Sequence, residues 1–241
     1  MKKLKLTCED IVTYVHICIW TFLFAVVIVL YGVFTTYSST GDPLAPAKDR
    51  NANYTGDNYP MWQDVHVMIY LGFGFLYTFL KAHSWASVTL NWICAAWTML
   101  TAMLWIGLWE RVWFAHFTDK IGLSIRGMID GDFCAGAALI AFGVVLGKVN
   151  TFQSLFIGTI IGCFYSLNYT LLAFVYGVSD LGGSMYIHTF GAIFGVMCSW
   201  AYMNPKEKDQ KHCGSSYHSN LFGIIGSLFL WMYWPSFNGA L

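Results

Sequence analysis

Long apolar segments separated by short polar ones make up most of the chain. A helix needs about 20 largely apolar residues to cross the hydrocarbon core of a membrane. Seven segments satisfy this condition, at roughly residues 11–36, 61–80, 86–109, 129–147, 152–176, 184–203 and 219–240. The longest polar stretches, 37–60 and 110–128, are too short for a hydrophobic core of their own. The pattern therefore predicts an all-α polytopic membrane protein with about seven transmembrane helices.

The composition supports lipid as the solvent of these helices. Hydrophobic residues make up 57% of the 241 residues and charged residues only 11%, whereas a soluble domain has about 25% charged residues. The formal net charge is zero, so the basic surface expected of a nucleic-acid-binding protein is absent. The first apolar segment exceeds the about 7–15 residues of a signal-peptide core, and we expect it to be retained as a helix.

Basic residues in the loops predict a cytoplasmic N-terminus, since cytoplasmic loops carry an excess of Lys and Arg. In that orientation eight basic residues lie inside and five outside. The inner residues are Lys2, Lys3, Lys5, Lys81, Lys148, Lys206, Lys208 and Lys211, and the outer ones are Lys48, Arg50, Arg111, Lys120 and Arg126. The loop at 37–60 then faces outward, and its Asn53-Tyr54-Thr55 tripeptide is a candidate glycosylation site.

His188 is the most informative polar residue of the apolar segments. It lies in DLGGSMYIHTFGAIFGVMCSWAYM, residues 180–203, and an ionisable ring within a membrane span indicates a functional site by default. Asp180 precedes it by eight residues, which is about 12 Å along a straight helix. This arrangement favours a pathway for a small polar species. Two structural alternatives stay open: His188 bonds a neighbour's carbonyl, or Asp180 serves as a helix N-cap.

Glycines spaced four residues apart predict close helix packing in two spans. The pairs are Gly158 with Gly162 and Gly191 with Gly195, a spacing that lets membrane helices approach closely. Gly191 and Gly195 follow His188 by three and seven residues, so they lie near its face of the helix. We therefore expect a partner helix beside the histidine.

The remaining polar residues of the spans favour structural roles. Asp64 and His66 are expected to bond each other or to cap the second span, and Asp130 and Asp132 are expected to be solvated. The seven cysteines show no metal-ligand spacing, so neither a metal nor a cofactor is predicted. No nucleophile–base arrangement indicates an enzyme.

Two phenylalanines complete a candidate pore mouth at the predicted outer side. Phe133 lies near the outer end of the fourth span and Phe237 near that of the seventh. Together with Asp180 they could frame an opening above His188. Taken alone, each phenylalanine favours ordinary packing among the 19 in the chain over a role in a pore.

Four segments resemble the Rh glycoproteins of the ammonium transporter superfamily, in the expected order and spacing. They are YPMWQDVHVMIYLGFGFL (59–76), DFCAGAALIAFGVVLGKV (132–149), DLGGSMYIHTFGAIFG (180–195) and LFGIIGSLFLWMYWPSFN (221–238). The additional N-terminal helix and the candidate glycosylated loop are also more similar to Rh proteins than to bacterial ammonium channels.

The resemblance implies a fold and an activity. The family fold is an eleven-helix bundle of two inverted five-helix repeats, preceded in Rh proteins by one further helix, and three subunits each contain a pore. Residues 1–241 would then hold the additional helix, the first repeat and the first helix of the second. The implied activity is facilitated movement of ammonia, with carbon dioxide as a second candidate substrate, across the plasma membrane.

Site residues are also implied by the resemblance. Asp180 matches the pore-mouth aspartate, His188 the first of twin pore histidines, and Phe133 and Phe237 the stacked gate phenylalanines. The second pore histidine belongs to a later helix that the chain does not contain, and Leu241 stands where bacterial members have a serine. Tyr169 and Asn220 replace acids found in some Rh glycoproteins. The alternative is therefore a non-conducting truncated scaffold that associates with full-length Rh proteins.

Overall fold

The computed structural model describes residues 8–38, 54–115, 117–202 and 214–240, which are mostly helical. The helices are α1 (Cys8–Phe34), α2 (Tyr54–Val67), α3 (Phe73–Leu76), α4 (Ser84–Phe114), α5 (Ile125–Val145), α6 (Thr151–Thr170), α7 (Phe190–Ala201) and α8 (Tyr217–Gly239). Shorter helical turns continue several of them: π-helical turns at Met68–Gly72, Leu171–Val175 and Ser184–Thr189, and 3-10 turns at Tyr77–Phe79 and Leu181–Gly183.

Five helical stretches among the described residues are long and apolar enough to cross a membrane. They are Asp10–Phe34, Ser84–Phe114, Ile125–Val145, Thr151–Val175 and Leu181–Ala201, and they correspond to five of the seven predicted spans. The other two predictions, 61–80 and 219–240, also fall on helical segments.

The predicted loop at 37–60 is shorter than expected on its C-terminal side. Helix α2 begins at Tyr54 and contains Pro60 within it, so residues 54–60 belong to a helix. Asn53, the candidate glycosylation site, lies outside the described residues, as does Leu241.

Helix α5 forms the centre of the bundle. It packs against α2, α4, α6 and α7, and its stretch from Ile129 to Leu139 is buried without interruption. Most of these residues are small, in the order GDFCAGAA from residue 131. Small side chains let neighbouring helices approach closely in a membrane, where interhelical packing replaces the hydrophobic effect as the driving force.

Both predicted glycine pairs are confirmed as close packing contacts. A Cβ atom at Gly158 would lie 2.8 Å from Thr98 Oγ1 on α4. A Cβ atom at Gly191 on α7 would lie 2.6 Å from the carbonyl oxygen of Ala137 on α5, and one at Gly195 would lie 2.8 Å from Ala141 Cα. The partner helix that packs against the glycines next to His188 is therefore α5.

Helix α1 lies at the edge of the bundle, and only 6% of its most apolar stretch is buried. The Tyr31 hydroxyl donates a hydrogen bond of 2.7 Å to the carbonyl of Leu100 on α4. Nearer the N-terminal end of α1, the ring of His16 stacks on Phe152 with centroids 4.4 Å apart. A few side chains thus attach a helix whose remaining surface is free to contact lipid.

A short parallel strand pair fixes the end of α1. Strand β1 (Thr35–Tyr37) pairs with β2 (Ile121–Leu123), with Thr35 opposite Ile121. The sequence pattern did not predict this pair, because three residues per strand are too few to show a period of two.

Candidate functional site

Two glycines interrupt the helix geometry directly before the sixth predicted span, which begins at residue 184 and contains His188. Gly182 and Gly183 have φ values of +77° and +68°, in the left-handed region that favours glycine. The residues that follow, Ser184–Thr189, form a π-helical turn that carries His188 into α7. The separation of about 12 Å estimated along a straight helix therefore does not apply to Asp180 and His188.

Asp180 caps this turn from outside it. Its Oδ2 atom accepts hydrogen bonds from the backbone N–H groups of Met185 at 2.7 Å and Tyr186 at 2.9 Å, while the residue itself is 8% exposed. The first N–H groups of a helix have no intrahelical acceptor, and a carboxylate supplies one. Asp180 therefore satisfies the capping alternative, although the turn that it caps begins four residues further on.

His188 lies against an aromatic surface of α8. Its ring centroid is 5.6 Å from that of Trp234 and 6.0 Å from that of Phe237. Its Nε2 atom is buried and has no hydrogen-bond partner among the described residues. Packing against α8 therefore leaves this ring nitrogen available for a hydrogen bond.

Phe133 and Phe237, far apart in sequence, are in contact. Their centroids are 4.9 Å apart with an interplanar angle of 74°, and their exposures are 0% and 2%. Trp234 stacks on Phe237 at 5.3 Å. Sequence reasoning did not identify Trp234, although its spacing of three residues from Phe237 places both on one face of the helix.

Side chains of helix α2 contact the two residues that directly precede Phe133 and Phe237 in the sequence. His66 Nδ1 lies 3.1 Å from both carboxylate oxygens of Asp132, and Asp64 Oδ2 accepts a 2.6 Å hydrogen bond from Ser236 Oγ. The expectation that Asp64 and His66 bond each other or cap the helix is wrong, since they reach α8 and α5. Asp132 is fully buried, so the expectation that it is solvated is also wrong.

Asp130 is likewise buried rather than solvated, at 9% exposure. It accepts a 3.2 Å hydrogen bond from the Tyr169 hydroxyl and lies 3.6 Å from Arg126 Nε. Arg126 Nη1 also donates to the carbonyl of Ala240 at 2.5 Å. Together with Glu110, these side chains line a polar cavity of about 290 Å³. The arginine therefore connects the beginning of α5 to the end of α8.

Position 182 also requires a glycine because Asn238 on α8 lies close to it. A Cβ atom there would lie 2.0 Å from Asn238 Oδ1. We expect Gly182→Ala to destabilise the protein by about 1–2 kcal/mol, the cost of a left-handed conformation for a residue with a Cβ, plus the steric conflict with Asn238. Thermal unfolding in detergent measures this. Adding Asn238→Ala should remove the steric part alone, and a double variant as stable as the unchanged protein would contradict the backbone argument.

Comparison with known proteins assigns the chain to a family. The family model described as Ammonium Transporter Family matches residues 19–241. Ammonium transporter Rh type C of Xenopus laevis is 44% identical over 223 residues, covering 89% of this chain and 46% of the relative. Ammonium transporter Rh type B of Danio rerio is 42% identical over 234 residues, covering 93% and 49%. The chain thus spans about half the length of these relatives.

A solved structure shows the same arrangement of helices. Rh50 of Nitrosomonas europaea, of the Rhesus protein family of channels, superposes with a TM-score of 0.70 at 28% identity. The match covers 79% of this chain and 50% of Rh50. The matched residues include all four segments on which the sequence resemblance rests, and the chain belongs to the ammonium transporter family.

Proposed function

We propose that this chain carries one half of a pathway that conducts ammonia, taken up as ammonium, across a membrane. The observation that carries the proposal is the buried, unpartnered Nε2 atom of His188 beside Phe237 and Trp234. A polar atom without a partner in an apolar setting costs free energy, and a passing solute able to hydrogen-bond would relieve that cost. The Rh type B and type C relatives are ammonium transporters by name.

The proposed mechanism rests on desolvation. Ammonium would transfer its proton to water at the pore mouth before passing Phe133 and Phe237, whose contact leaves no room for a hydrated cation. A bare cation in an apolar pore costs far more than a neutral amine. Neutral imidazole has one hydrogen-bond donor and one acceptor, so His188 would replace part of the water shell of ammonia. Carbon dioxide, which needs no deprotonation, is the second candidate substrate.

Asp180 has an indirect role in this proposal. Its Oδ2 atom already accepts two backbone hydrogen bonds, so the carboxylate holds the turn on which His188 lies and shapes the pore mouth. We propose that Phe133 and Phe237 form the gate and that Asp180 positions the histidine below it. These four residues make up the proposed conduction site.

The cellular setting is also a proposal. We infer a plasma-membrane protein with a cytoplasmic N-terminus, because this orientation places more basic residues inside and Asn53 outside, where glycosylation occurs. Family membership supports a homotrimer, or association with longer Rh proteins. The domain would be the partial ammonium transporter/Rh-like unit of residues 1–241.

The test measures ammonia flux into proteoliposomes that contain the protein. His188→Ala should lower the rate of internal alkalinisation after an ammonium pulse by about tenfold, since losing one hydrogen bond in the barrier region costs about 1.4 kcal/mol. His16→Ala is the matched control and should leave the rate unchanged. Unchanged flux in the His188 variant would refute the proposed role. Absence of flux in the unchanged protein, with co-purification of a longer relative, would favour the scaffold.

A further inference from the structure

A second cavity lies between α1 and α4, away from His188. Its volume is about 420 Å³, within the range of about 300–1,000 Å³ that is usual for ligand sites. The lining is almost wholly apolar and includes Leu23, Val27, Leu30, Phe34, Leu104 and Trp105. We refer to this cavity as the α1 groove.

The α1 groove extends through about one leaflet of a membrane. Along α1 it runs from Leu23 to Phe34, which at about 1.5 Å per residue is roughly 16 Å. The hydrocarbon core is about 30 Å thick, so the groove covers half of it. One wall of the groove is α1, which is mostly exposed, so the groove lies at the periphery of the bundle.

A cation lies at the end of this groove. Arg111 is part of the lining, close to the C-terminal end of α4. Its Nε donates to the carbonyl of Asp119 at 2.7 Å, and its Nη1 donates to the carbonyl of Gly107 at 2.5 Å. These two carbonyls hold the guanidinium in place at the end of the groove. The neighbouring Glu110 lines the polar cavity on the other side of α4.

We propose that the α1 groove binds one acyl chain of a membrane phospholipid whose phosphate is bound by Arg111. The helix ends place Arg111 at headgroup level, while the apolar lining continues towards the bilayer centre. A guanidinium has five N–H donors and forms strong charge-assisted hydrogen bonds with phosphate. A sterol would fill the apolar part but would offer the arginine no anionic oxygen. The proposal does not depend on conduction through the His188 pathway.

The experiment is photolabelling in phosphatidylcholine vesicles that contain a phosphatidylcholine with a diazirine on one acyl chain. Labelled peptides identified by mass spectrometry should include residues 23–34 and 97–111. Val27→Trp, which fills the groove, should lower labelling of these peptides by about fivefold or more. Val29→Trp is the matched control, because Val29 is 62% exposed and is not part of the lining. It should leave labelling unchanged.

The headgroup is tested separately. Arg111→Gln should lower labelling by about tenfold, as expected for the loss of a charge-assisted hydrogen bond to phosphate, and Arg111→Lys should restore most of it. Equal labelling of the Val27 and Val29 variants would overturn the proposal, because it would indicate only general contact with lipid. Full displacement of the label by cholesterol, together with insensitivity to Arg111→Gln, would also overturn it in favour of a sterol.

Discussion

Replacing His66 with leucine should destabilise the protein by about 3 kcal/mol, the cost of leaving a buried carboxylate without its partner. Asp132 is fully buried, whereas the side chain of His66 is 34% exposed. Both carboxylate oxygens face the same ring nitrogen at 3.1 Å. Removal of the histidine therefore leaves the carboxylate desolvated, and it must either remain charged without this partner or take up a proton.

The measurement is the free energy of unfolding in mixed micelles, for both single variants and the double variant. We expect His66→Leu combined with Asp132→Leu to be more stable than His66→Leu alone, since the second substitution removes the unpaired carboxylate. His16→Leu is the matched control, because His16 stacks on Phe152 in the peripheral helix α1. A loss below about 0.5 kcal/mol, the usual effect of a surface change, would contradict the pairing.

The same variant should also affect conduction. Asp132 directly precedes Phe133, so a shift at the His66–Asp132 contact moves the edge of the proposed gate. The bond from Ser236 to Asp64 acts in the same way on Phe237. Helix α2 thus contacts α5 and α8, the two helices of the proposed gate, through polar side chains.

The helices were predictable because a membrane-spanning helix requires a long apolar segment in the sequence. A span needs an apolar run of fixed length, and five of the predicted runs match helical stretches of that kind. The α2–α3 segment has no such uninterrupted run. Its residues His66 and Asp64 obtain partners from α5 and α8, which lie 66 and 172 residues further along the chain, so no local pattern could reveal these contacts.

The candidate site was partly predictable for a related reason. His188 is conspicuous because an ionisable group is costly in a span, and the resemblance to Rh proteins pointed to Asp180, Phe133 and Phe237. Trp234 and Asn238 carried no such signal, since each is an ordinary residue of α8. The role of Asn238 depends on its approach to Gly182, which follows from the break in the helix.

Helix α8 packs closely against the backbone of residues 72–76 at Gly226. A Cβ atom there would lie 2.2 Å from the backbone nitrogen of Leu76 and 2.6 Å from the carbonyl oxygen of Gly72. Backbone atoms cannot rotate away as a side chain can. We therefore expect Gly226→Ala to destabilise the protein by about 2–3 kcal/mol through overpacking, measured as unfolding in mixed micelles.

Gly223→Ala is a matched control with the opposite expected sign. Gly223 is buried in the same helix, but the nearest atom to its Cβ would be the carbonyl oxygen of Leu76 at 3.7 Å, an ordinary contact. Alanine is favoured over glycine within a helix by about 0.5–1 kcal/mol, so this variant should be slightly more stable. Equal effects of the two substitutions would show that α8 does not rest on the α2–α3 backbone. Opposite effects would support the close backbone contact at Gly226.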